Sequence, residues 1–87
     1  MKRNEEFLLR SVADTLVLVP IGNAVSSFGG MVTLNATGAF LWETLESEQT
    51  AETLTKALTD RYDVAEEKAR QDVDAFIAAL LPIGAIL

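Results

Sequence analysis

With 87 residues, 49% of them apolar, the chain is the size of one domain with a modest core and is too apolar for a disordered tail. Its 13 acidic and 7 basic side chains leave a net charge of −6, a field that repels phosphate backbones and argues against a nucleic-acid partner. The absence of cysteine and histidine removes disulfides, thiolate chemistry, the commonest general base and the commonest metal ligands.

At the start of the chain, Lys2 and Arg3 are followed by Asn4, Glu5 and Glu6, where a secretory signal would need an apolar run. Phe7 to Ala13 then alternates, with Phe7 and Leu9 on one face and Leu8 and Val12 on the other, and Leu16 to Val19 is a compact apolar run closed by Pro20. The short polar connection Asp14-Thr15 joins them, so the pattern predicts an antiparallel hairpin with strands at 7–13 and 16–20. Ile21 to Gly30 carries Gly22, Asn23, Ser26, Ser27, Gly29 and Gly30 and reads as a loop. A third, short strand is expected over Met31, Val32, Thr33 and Leu34.

Asn35 is suited to cap the next element, because its side-chain oxygen can accept from a free backbone N–H of a first helical turn. A helix is predicted over 36–46, with Gly38, Leu41 and Leu45 on one stripe and Trp42 beside them. Gly38 costs a helix about 1 kcal/mol relative to alanine, which points to close packing on a neighbour. Thr50 can cap a second helix over 51–62, with Thr53 where a full capping box would have glutamate; Leu54, Ala57, Leu58 and Tyr62 share its inner face. A third helix over 65–81 carries Ala69, Val73, Phe76, Ile77 and Leu80 at helical spacing, is broken by Pro82 and can be closed by Gly84 in a left-handed conformation. The apolar end, Phe76 to Leu87, is too short for a membrane span, which takes about 20 apolar residues. Three strands followed by three helices make an α+β fold, a three-stranded antiparallel sheet with helices on one side, in a single domain over residues 1–87.

Few groups here suit chemistry. Glu66 with Glu67, and Asp72 with Asp74, are adjacent or near-adjacent carboxylates on a helix, of the kind that is normally solvated; a catalytic pair needs burial to shift a pKa. The glycines at 22, 29 and 30 are not followed by the Lys-Ser/Thr of a phosphate loop, and Ser26 and Ser27 have no histidine to activate them. No catalytic residue, metal site or cofactor is therefore expected. An acyl-carrier domain would need an Asp-Ser pair, which the chain lacks. A winged-helix DNA-binding regulator, the main alternative, would need a basic outer face on its third helix, whereas AEEKARQDVDAF sets Glu66, Glu67, Asp72 and Asp74 against Lys68 and Arg70. A binding module remains. A short third strand reached through a glycine-rich loop belongs at a sheet edge, where unpaired N–H and C=O groups can take an extended peptide as an extra strand, or a second copy of the chain.

The segment LNATGAFLWETL is similar to the Leu-Asn-x-Thr-x-x-x-(Leu/Ile)-Trp-x-x-Leu pattern of the PqqD-like family, named for pyrroloquinoline quinone biosynthesis protein D. FLLRSVADTLVLVP resembles that family's N-terminal hairpin, Thr50-Ala51-Glu52 its second helix start, and YDVAEEKARQDVDAFIAALLPIGAIL its C-terminal helix. The resemblance covers nearly the whole chain; Pro82 departs from it. It implies a winged-helix-like domain that binds the leader segment of a ribosomally made precursor peptide. Such a domain presents the peptide to a modifying enzyme, often of the radical S-adenosylmethionine type, in natural-product or cofactor biosynthesis. It further implies that the backbone of Met31, Val32, Thr33 and Leu34 pairs with the leader, and that Lys68, Ala69, Asp72, Val73 and Phe76 line the cleft beside it. A cytoplasmic protein, monomeric or weakly dimeric, with no nucleic-acid or membrane partner, is expected.

Overall fold

A computed structural model describes residues 1–27 and 29–87; Phe28, within the expected loop, lies outside the described residues. The hairpin pairs β1, Phe7–Val12, with β2, Thr15–Pro20, in antiparallel register from Phe7↔Pro20 to Val12↔Thr15. Its turn is one residue earlier than the sequence suggests: Ala13 and Asp14 both take positive φ, 48° and 68°. These are the values of the two-residue turn whose twist matches that of paired strands. Asp tolerates this region better than alanine does, because its short polar side chain bonds locally.

The expected loop contains one helical turn, α1, Ala24–Ser27. Ala24 is buried, and the Glu6 carboxylate accepts from the Asn23 N–H at 2.7 Å, tying this turn to the start of β1. Gly22 precedes it at φ +59°, where a Cβ would run into the same carboxylate. The third strand, β3, is Val32–Leu34, so Met31 falls just outside it. It pairs antiparallel with β2 through Leu16↔Leu34, Val17↔Thr33 and Leu18↔Val32, giving the order β1-β2-β3.

Three longer helices follow: α2, Ala36–Thr44; α3, Ala51–Arg61; and α4, Glu66–Leu80. Asn35 caps α2, accepting from the Gly38 N–H at 2.8 Å. Thr50 caps α3 by accepting from Thr53 N–H at 3.1 Å, while the Thr53 hydroxyl accepts from Thr50 N–H at 2.8 Å; a threonine thus completes the capping box in place of glutamate. Glu52, in the same turn, has its carboxyl held below the usual range by its own backbone N–H and then by the Thr50 hydroxyl, with Arg70 adding attraction. Helix α4 stops at Leu80, two residues before Pro82, and Gly84 turns the chain at φ +80°.

The core is one cluster in which Leu18 of the sheet meets Leu41, Trp42 and Leu45 of α2, Leu54 and Leu58 of α3, and Ala69, Val73 and Leu80 of α4. Both ends of the chain close over it. Lys2 N–H donates to Leu87 C=O at 2.9 Å and Leu87 N–H to Lys2 C=O at 2.7 Å, while Asn4 bonds Ala85 and Gly84 through its main chain and side chain. Arg3 N–H reaches the last turn of α2 at Leu45.

Trp42 is 2% exposed in the centre of this cluster. Trp42→Ala is expected to cost about 3–5 kcal/mol in urea unfolding, a large share of a small domain's stability. The hairpin turn offers the opposite test. The double substitution A13N/D14G supplies residues that occupy positive φ with little strain, and should raise stability by about 1 kcal/mol with no change of fold.

Candidate functional site

Which backbone groups of β3 are free follows from the hairpin. A two-residue turn of this type closes on a hydrogen-bonded pair, and bonded and non-bonded pairs then alternate along an antiparallel ladder. Val12–Thr15, Arg10–Val17 and Leu8–Val19 are accordingly the bonded pairs, and the Ile21 N–H to Glu6 C=O bond at 2.7 Å continues the series. The odd residues of β2 therefore face β1, and Leu16 and Leu18 turn their N–H and C=O toward β3. Their partners Leu34 and Val32 are bonded inward. Thr33 is left with its N–H and C=O directed away from β2, along an edge that no other strand among the described residues pairs with.

That edge opens onto a cleft of about 530 Å³ between β3 and α4. Val32, Thr33, Leu34 and Asn35 form one wall, and Lys68, Asp72, Ala75, Phe76 and Ala79 the other; Leu41 and Leu80 lie at its base. The base is apolar and almost fully buried. At one end Lys68 Nζ lies 2.6 Å from Asp72 Oδ1, a pair on successive turns that neutralises itself. Gly38 also lines the cleft: a Cβ there would stand 3.4 Å from Leu34 Cδ2 and 3.2 Å from the capping Asn35 oxygen. The close approach anticipated for Gly38 is thus onto β3 itself, holding the edge strand against α2.

Six of the residues singled out from the sequence come together here: Val32, Thr33, Leu34, Lys68, Asp72 and Phe76. Three do not. Met31 is 65% exposed and precedes the strand, outside the cleft wall. Ala69 and Val73 are fully buried and back α4 onto the core; they lie one helical face round from Lys68 and Asp72. Ala75 and Ala79 were missed. Both are exposed on the cleft side, and the spacing 68, 72, 75, 79 is the helical repeat that could have found them.

Elsewhere on α4 the cations are also paired. Arg70 lies 3.0 Å from Asp74 and 3.9 Å from Glu52, so this helix offers no free basic stripe for a phosphate backbone. Among the described residues, no group of three acidic, histidine or cysteine side chains could hold a metal ion. No helix among them is long and apolar enough to cross a membrane.

The fold and the cleft define a winged-helix-like α+β module with an open sheet edge. The family model of coenzyme PQQ synthesis protein D (PqqD) matches residues 15–86, and the chain belongs to that family. Among solved structures, it is similar to TbiB1 in complex with the TbiA(beta) leader peptide, with a TM-score of 0.74 and 23% identity over 99% of this chain and 94% of that one. It is also similar to lasso peptide synthetase B1 complexed with the leader peptide, with a TM-score of 0.72 and 22% identity over 99% and 95% of the two chains. No curated protein matches the sequence.

The role of Gly38 can be checked directly. Gly38→Val drives two methyl groups toward Leu34 and the Asn35 cap, and should cost about 1–3 kcal/mol by thermal unfolding.

Proposed function

We propose that this chain, acting as one domain over residues 1–87, binds the leader segment of a ribosomally made precursor peptide in extended form. The leader is added to β3 as a fourth strand and presented to a modifying enzyme. The observation that carries the proposal is the outward-directed backbone of Thr33 on an unpaired edge, facing an apolar cleft. An isolated peptide strand gains its register from such backbone bonds and its selectivity from side chains entering a neighbouring groove. Membership of the PqqD family and the leader peptides bound in the two similar structures support the same reading.

Each part of the site has a distinct task. Thr33 donates to and accepts from the peptide backbone. Val32 and Leu34 hold the strand to β2 and shape the near wall. Phe76 supplies the apolar part of the far wall, Lys68 and Asp72 close one end, and Ala69 and Val73 fix α4 from behind. Met31 precedes the paired strand on the same edge. The protein binds and does not itself catalyse: the reacting groups, of radical S-adenosylmethionine type or otherwise, belong to the partner enzyme, and the two meet in the cytoplasm, where the precursor is made.

Proline substitution separates the two sets of backbone groups, because proline is tolerated in a sheet only where the missing N–H faced outward. Val32→Pro removes a bond to β2 and is expected to unfold or strongly destabilise the domain. Thr33→Pro should keep its circular dichroism and melt near the parent, yet bind a synthetic leader about 1–3 kcal/mol more weakly by calorimetric titration. Full-strength binding by a folded Thr33→Pro variant would show that the peptide does not pair with this edge.

A further inference from the structure

The α4 wall of the cleft is uneven. Lys68 and Phe76 are long side chains and Asp72 carries a carboxylate, whereas at Ala75 and Ala79 the wall is one methyl group deep. The space left there is bordered by the buried apolar groups of Phe76 and Leu80. At the opposite end the 2.6 Å Lys68–Asp72 pair is already neutral, so the described lining of the cleft carries no net charge by which to select a ligand. A strand bonded to Thr33 turns its neighbouring side chains to the opposite face from the bonded residue, the face of Val32 and Leu34, and so into this space.

We propose that Ala75 and Ala79 are specificity-determining residues, selecting peptides that carry a bulky apolar side chain at one of the two positions flanking the residue bonded to Thr33. The inference rests on the strand-addition reading and adds to it the size and chemistry of the side chain admitted. Two exposed alanines on successive turns act as a gauge: any larger residue there shortens the cleft from the helix side without touching β3.

Phage-displayed random dodecapeptides, panned against the protein and against Ala75→Leu and Ala79→Leu, test it. Ala78→Leu is the control, since Ala78 is exposed on the same helix but outside the cleft wall. The parent and the Ala78 variant should enrich leucine, isoleucine or an aromatic residue at one fixed position. The two cleft variants should shift that position to glycine, alanine or serine, and should bind the parent's best peptide about ten-fold or more weakly, the scale on which a pocket discriminates a few methylene groups. Melting curves establish that each variant is folded, and the corresponding valine variants repeat the measurement if a leucine variant is not. Folded cleft variants that keep the parent's preference and affinity would overturn the inference while leaving strand addition standing. A parent that enriches no peptide would overturn both.

Discussion

The site depends on a turn that lies outside it. Ala13 and Asp14, held at positive φ, close the hairpin on Val12–Thr15, and that single pairing decides the direction of every backbone group across the sheet. One residue more or less in the turn would exchange the bonded and non-bonded sets on β2. Leu16 and Leu18 would then no longer meet Leu34 and Val32, and Thr33 would spend its donor and acceptor inside the sheet. The free edge is therefore a consequence of hairpin register, carried across β2 to β3 by the alternation of the antiparallel ladder.

The other wall is set by equally remote contacts. The backbone bonds between Lys2 and Leu87 and between Asn4 and Ala85 hold the segment after Gly84, and Leu80, Ala85 and Ile86 are buried with the core. They fix the end of α4 at which the small residues of the cleft lie. On the near side, the Asn35 cap joins β3 to α2, and the missing side chain of Gly38 lets Leu34 lie against that helix. The cleft is thus bounded by two rigid elements whose positions are determined elsewhere, which is the arrangement that preserves a groove without a ligand to hold it open.

Much of this was legible in the sequence where the signal is local. Asn35 and Thr50 announce helix starts because a cap needs only the first turn to act, and Val73, Phe76 and Leu80 announce a buried stripe because helical spacing alone groups them. The parts that were not legible depend on distant partners. Residues 24–27 form a helical turn because Glu6, 17 residues away, accepts from Asn23; the glycines and serines around them give only the signature of a loop. The outward direction of Thr33 could not be read without the exact hairpin turn. Alanine was ambiguous as well: Ala69 and Ala75 are the same residue on the same helix, one sealed in the core and one open to the cleft, and only the packing of α4 on α3 and the sheet distinguishes them.

Magnitudes then assign the division of labour between edge and cleft. Thr33 can make two backbone bonds to an added strand, each worth about 0.5–1.5 kcal/mol net of water, or about 1–3 kcal/mol together. A complex of micromolar affinity requires about 8 kcal/mol. The shortfall of about 5–7 kcal/mol corresponds to roughly 200–280 Å² of apolar surface at 25 cal/mol/Å², before the further cost of ordering an extended peptide. If a peptide adds to β3 as proposed, the short edge therefore fixes its direction and register but cannot supply the affinity. On the strand-addition proposal it has to come from side chains buried beneath the added strand, against Leu41, Phe76 and Leu80, and the role proposed for Ala75 and Ala79 is to limit how much surface a peptide can bury there.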